Sequence, residues 1–192
     1  MKSYNTSFIA FRSFCIGFLS LLLVSTAHAQ WTQADGLYGG EVLSLTSSGT
    51  TIFAGTNRGG VFRAIDIANK WIAAGLATHQ VNALAVSGTT LFAGTFEKGV
   101  YRSSDNGENW TSTGLKNQTV FSLAVSGSTI FAGTYGGGVY RSSDNGGIWT
   151  EVNMGLKNKT VYALAVNGSS LYAGTDGGGV FRSTDNAENW TE

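Results

Sequence analysis

Proline is absent from the 192 residues, which excludes any motif that requires one. The single cysteine, Cys15, lies in an N-terminal apolar run, so no disulfide and no thiolate metal site is available to the rest of the chain. Charge is sparse at 12% of residues, against 42% hydrophobic, a balance that excludes a charge-rich disordered tail or a coiled coil. No apolar run is long enough to span a bilayer: the longest, Phe14 to Val24, falls well short of the roughly 20 residues a spanning helix needs.

What the first segment does contain is Lys2 and Arg12 ahead of that run, then Ser25 and Thr26, then the small-residue site Ala27, His28, Ala29. This order is that of a secretory signal peptide over residues 1–29 with cleavage before Gln30, placing the mature chain, 30–192, in the periplasm or outside the cell. Lys2 and Arg12 leave with the signal, so the mature chain carries 10 basic and 12 acidic residues. Such a balance lacks the basic footprint of a nucleic-acid binder. His79 is the only histidine left, and without Cys or a second His beside it no zinc site is expected.

The mature chain is repetitive. FAGT stands at 53–56, 92–95 and 131–134, and YAGT at 172–175. Each is followed by a Gly-Val-aromatic-Arg run ending at Arg63, Arg102, Arg141 or Arg182, and then by Trp71, Trp110, Trp149 or Trp190. From the Gly of the opening Gly-Leu pair to that Trp is 35 residues in all four units: 36–71, 75–110, 114–149 and 155–190. Length varies only between a Trp and the next Gly, as befits a surface loop. Inside a unit the apolar pattern has period two, interrupted by Gly, Ser, Asn and Asp turns, and gives four short strands. Four-stranded units at this period predict an all-β array of propeller blades.

Ser103, Asp105, Gly107 and Trp110 form an S-x-D-x-G-x-x-W turn, and Ser142, Asp144, Gly146 and Trp149 repeat it. The third copy, Ser183, Asp185 and Trp190, carries Ala187 in place of Gly, and the first keeps only Asp66 and Trp71. This turn resembles the Asp-box, or bacterial neuraminidase repeat, of sialidase-like β-propellers. The resemblance implies a structural turn between the third and fourth strands, on the periphery and away from the ligand face. An Asp in a tight turn accepts bonds from unpaired backbone N–H groups, Gly supplies a backbone angle other residues avoid, and Trp covers the hairpin. The Ala187 copy is expected to be weaker by roughly 1 kcal/mol if that position needs a positive φ.

Residues recurring at one phase in every unit read as architectural, because an active site is a single asymmetric constellation. The four arginines therefore read as structural. With the family's proline-containing Phe-Arg-Ile-Pro motif also missing, sialidase activity is not expected. The propeller glycosidases of the family need a carboxylate pair. The box aspartates are committed to their turns, leaving Asp35, Glu41, Glu97, Glu151 and Asp176, which no spacing pairs, so no catalytic residue is assigned. No metal and no cofactor is expected.

Positions that differ between units are the candidate contact surface: Asn57 and Arg58, then Phe96, Glu97 and Lys98, then Tyr135, then Asp176, all in the turn after AGT. In a propeller these turns share a face with the interblade loops 78–80, 116–119 and 157–160. Aromatic and charged side chains there suit a glycan or a protein. The expectation is an exported, non-catalytic binding module, with a glycoside hydrolase missing blades and the sensor propeller of a signalling protein as alternatives. Four units, with Trp31 and Trp190 in the same phase at the two ends, point to an open arc or to part of a six- to eight-bladed ring. Open blade edges favour self-association.

Overall fold

A computed structural model describes residue 37 and residues 40–65 and 70–192. The signal peptide, Trp31, Asp35, Gly36 and Asp66 lie outside the described residues. Those described form strands and turns, without a helix.

Blade 1 runs β1 (Val42–Ser48), β2 (Thr51–Thr56), β3 (Val61–Ile65) and β4 (Ile72–Ala73). Blade 2 has β5 (Val81–Ser87), β6 (Thr90–Thr95), β7 (Gly99–Ser103) and β8 (Thr111–Ser112), and blade 3 has β9 (Val120–Ser126), β10 (Thr129–Thr134), β11 (Gly138–Ser142) and β12 (Thr150–Glu151). Each is an antiparallel meander with strands in sequence order. Blade 4 contains β13 (Val161–Asn167), β14 (Ser170–Thr175) and β15 (Gly179–Ser183), its fourth position reduced to a bridge between Arg182 and Thr191. The first strands β1, β5, β9 and β13 pack against one another in succession, and the short fourth strands lie farthest out. This is propeller architecture, as the repeat predicts, and the arc is not closed.

The alternation along the second strand explains the FAGT motif. Phe53, Phe92 and Phe131, all essentially inaccessible, point toward the following blade. The residues one position before the motif in blades 2, 3 and 4, Leu91, Ile130 and Leu171, point toward the preceding one. Each interblade layer is therefore a small core shared by two sheets: Phe53 and Val61 meet Val81, Leu84, Leu91 and Ala93 in the first. Burying one such phenylalanine contributes about 1.5–3 kcal/mol.

The glycine of FAGT is required by close approach. A Cβ on Gly55, Gly94 or Gly133 would stand 2.7, 2.6 or 2.8 Å from the first-strand valine of the next blade, Val81, Val120 or Val161. On Gly174 the nearest atom would be Ala163 of its own sheet, at 3.6 Å. The two outermost faces confirm the layering. Val180 is 59% exposed where Val61, Val100 and Val139 are sealed, and Leu45 is 63% exposed where Leu84 is buried.

Candidate ligand-binding face

The box turns hold the blades whose second-to-third strand turns build the face. In the blade 2 box, Ser103 Oγ donates to Asp105 Oδ1 (2.7 Å) and accepts from the Gly107 N–H (2.9 Å). Asn109 closes the turn by donating its backbone N–H and side-chain amide to the two Asp105 oxygens, at 2.9 and 2.8 Å. The blade 4 box repeats all four bonds with Ser183, Asp185, Ala187 and Asn189. In blade 3, Ile148 replaces the asparagine, and its N–H reaches both Asp144 oxygens at 2.9 Å while Ser142 Oγ again donates to Oδ1 at 2.8 Å. The serine, not only the aspartate, thus ties the turn to the backbone.

These bonds hold the carboxylates in their charged form. The Asn109 backbone bond, with its side chain and Ser103, lowers Asp105 to about 2. The Asn189 side chain, then its backbone and Ser183, does the same for Asp185. Asp144 is lowered chiefly by the Ile148 N–H. The third position of the box does sit at positive φ, 83° at Gly107 and 85° at Gly146, and Ala187 occupies it at 68°. The methyl of Ala187 is fully buried in the core between blades 3 and 4, so its packing offsets part of the backbone strain.

The boxes also act between blades, which goes beyond the local turn the motif implies. Trp110 Nε1 donates to Ala74 O, in the link leaving blade 1, and Trp190 Nε1 to Val152 O, in the link leaving blade 3, each at 2.8 Å. The third-strand arginines reach the following box: Arg63 to Asn106 O, Arg102 to Asn145 O and Arg141 to Asn186 O, all at 2.8 Å. Arg182, on the last blade described, turns back to Ser170 Oγ and lies over the Tyr172 ring. The arginines therefore do not converge on one point; Arg63, Arg102 and Arg141 each span one junction.

The face is built at the other end of the second strand. Thr56, Thr95, Thr134 and Thr175 each donate Oγ1 to the carbonyl of a glycine at the entry to the third strand, Gly60, Gly99, Gly138 or Gly179. The next residue, Asn57, Phe96, Tyr135 or Asp176, donates its N–H to the residue just before the first strand: Glu41, Gln80, Thr119 or Thr160. One backbone pattern thus holds these four variable side chains at one phase, on one face.

Five of the seven candidate contact residues line a single groove of about 530 Å³ between blades 1 and 2: Asn57, Arg58, Phe96, Glu97 and Lys98. Thr78, His79 and Gln80 of the interblade loop complete it. Phe96 is 45% exposed. Glu97 adopts φ 59° where blade 3 has Gly136 and blade 4 has Gly177, a strained conformation in the middle of the groove. His79 Nε2 lies 3.2 Å from the Tyr101 hydroxyl, which fixes the ring against the blade.

Tyr135 and Asp176 do not reach this groove. Tyr135, 64% exposed, packs edge-on against Phe121 at 6.1 Å, and Phe121 lies 5.1 Å from the half-exposed Tyr162. This aromatic cluster straddles blades 3 and 4. The residue-level reading missed Phe121 and Tyr162. Both stand second in the first strand, where the register slips and where the other blades carry Leu43 and Asn82. That variation was the available signal. Asp176 is exposed at the blade 4 turn, where its carbonyl accepts from Asn158. Of the remaining carboxylates, Glu151 is committed to Lys159 at 2.8 Å and to Asn153. The Lys159 bond lowers its pKa. Glu41 lies 3.5 Å from the Asn57 amide.

No family model and no curated protein matches the chain. Solved structures do. The extracellular domain of BT4673 from B. thetaiotaomicron superposes with a TM-score of 0.67 at 19% identity, over 80% of this chain and 23% of that one. The GH74 xyloglucanase from Xanthomonas campestris gives 0.61 at 19% identity, over 84% and 31%. YCF48 bound to D1 peptide gives 0.58 at 14% identity, over 84% and 70%. The chain thus spans about a quarter of the first protein and about a third of the second. At these identities the likeness establishes the β-propeller fold and nothing of the chemistry.

Proposed function

We propose that the chain is an exported β-propeller module, built from Asp-box units, that binds a glycan or a protein segment across its turn face without transforming it. The observation that carries this reading is the gathering of Asn57, Arg58, Phe96, Glu97 and Lys98 in one groove. On the same face stands the cluster of the partly buried Phe121 with the exposed Tyr135 and Tyr162. Flat aromatic rings beside fixed polar groups stack on pyranose or side-chain surfaces and read their hydroxyls or amides. Among the described residues lining the groove Glu97 is the single carboxylate, whereas glycoside hydrolysis by the usual route uses two. That YCF48 holds a peptide on a fold of this shape supports a protein ligand. The box turns, with their shared serine and aspartate bonds, support the Asp-box assignment, and the leader 1–29 supports export.

The test is a binding screen of the exported chain against a glycan array and a peptide library, followed by titration of each hit. Changing Phe96 to Ala, or Tyr135 and Tyr162 together to Ala, should weaken a genuine hit by at least about tenfold with the circular dichroism spectrum unchanged. Hydrolysis of xyloglucan or a sialoside that disappears in a Glu97→Ala, Asp176→Ala double variant would replace the binding module by a hydrolase.

A further inference from the structure

The first and last described blades expose sheet faces that complement each other, because each is one side of a junction already built three times inside the chain. On blade 1 the exposed residues are Val42, Leu45 and Ile52. They stand at the positions of Val81, Leu84 and Leu91, which blade 2 buries against blade 1. On blade 4, Ala163, Ala165 and Val180 are exposed, whereas their counterparts in blade 2, Ala83, Ala85 and Val100, are buried. Gly174 lies on that same face, without the neighbouring valine that Gly55, Gly94 and Gly133 each meet.

We propose that the two faces meet in a second copy of the chain: blade 4 of one protomer packs on blade 1 of its partner, with the partner's Val42 over Gly174. The internal junctions show what each face accepts. The side toward the next blade carries a glycine space beside an aromatic ring, and the opposite side carries branched aliphatic residues. Like faces do not fit. Two blade 1 faces would set Val42, Leu45 and Ile52 against side chains of the same bulk, and two blade 4 faces would leave the space at each Gly174 unfilled. Arg182, which lies over Tyr172 in the separate chain, must swing toward the partner's rim, the course that Arg63, Arg102 and Arg141 take at the internal junctions. Because the contact is head-to-tail, each protomer offers both faces, and two copies about a twofold axis cover all of them. Two copies of four blades make a ring within the usual range for propellers, which three copies would exceed.

The experiment is sedimentation equilibrium and native mass spectrometry of the exported chain, which should give a dimer. Gly174→Val fills the glycine space on blade 4, and Leu45→Lys puts an ammonium group at the position where Leu84 is buried in the first internal junction. Within one copy both sites are open: a Cβ on Gly174 would stand 3.6 Å from Ala163, and Leu45 is largely exposed. Each change enters the ring twice and should raise the dissociation constant at least about tenfold, with the circular dichroism spectrum unchanged. Mixing the two variants restores one sound contact, blade 4 of the Leu45→Lys chain on blade 1 of the Gly174→Val chain. A heterodimer should therefore appear where each variant alone is monomeric. A monomeric parent chain overturns the proposal. So does a dimer that survives either substitution, which would mean pairing through like faces, and so does a mixture without the heterodimer. Growth past two copies overturns the closed pair in favour of an open series. The turn-face groove lies within one copy, so these outcomes leave the proposed binding face standing, and the reverse.

Discussion

The rim and the turn face of this protein are built from the same repeat and obey opposite rules. At the rim the arginine-to-box bond recurs at all three described junctions and the tryptophan-to-link bond at the first and third, each joining a blade to its neighbour. At the turn face one backbone pattern recurs, but the side chains it presents change from asparagine to phenylalanine to tyrosine to aspartate. Sameness holds the sheets together, and difference is left for contact.

That contrast can be broken by mutation. The largest effect is expected at the rim. Trp110→Ala removes a ring wedged against blade 1 and its bond to Ala74 O, and should cost about 3 kcal/mol in urea unfolding. A destabilisation below about 1 kcal/mol would show that the box is decoration. Next comes the junction glycine. Gly94→Ala drives a methyl into Val120 and should cost about 1–3 kcal/mol, whereas within one copy Gly174→Ala meets only Ala163 of its own sheet at ordinary contact distance and should stay within about 0.5 kcal/mol. Equal costs for the two would deny that the glycine answers to the next blade. On the turn face, Tyr135→Ala, at an exposed ring, should shift the melting midpoint by no more than the equivalent of about 0.5 kcal/mol, measured by calorimetry.

The smallest and most gradual effect is with pH. Asp105 and Asp185 have folded-state pKa values lowered to about 2 from an ordinary 3.8, so the stability they contribute is complete above pH 4 and fades as the pH falls toward 2. Circular dichroism in fixed urea between pH 5 and pH 2 should show that loss, and Asp105→Asn should flatten the curve. A profile unchanged by that substitution would remove the aspartate from the rim's contribution to stability.

Legibility followed the same divide. The strands, the turns and the box were readable because they are local: Ser103 and Gly107 are four positions apart, and the alternation within β6 needs no partner to be seen. The arginine and tryptophan bonds were not, although their residues were in view. Arg102 and Asn145 are 43 positions apart, and a periodic sequence does not tell whether a side chain serves its own unit or the next. The face was half readable. Turn residues announce themselves by composition, so Phe96 and Glu97 stood out. Phe121 and Tyr162 sat inside what reads as an ordinary alternating strand, and only the slipped register at its start turns them outward to meet Tyr135.

The pairing of a FAGT glycine in one sheet with a valine in the next has a consequence for how such a chain grows. Every unit carries both halves of the joint, the hollow on one side and the knob on the other, so a duplicated unit arrives already fitted to its siblings. Lengthening the array by in-frame copying therefore asks for no compensating change in the buried layers, and the new turn is released at once to diverge.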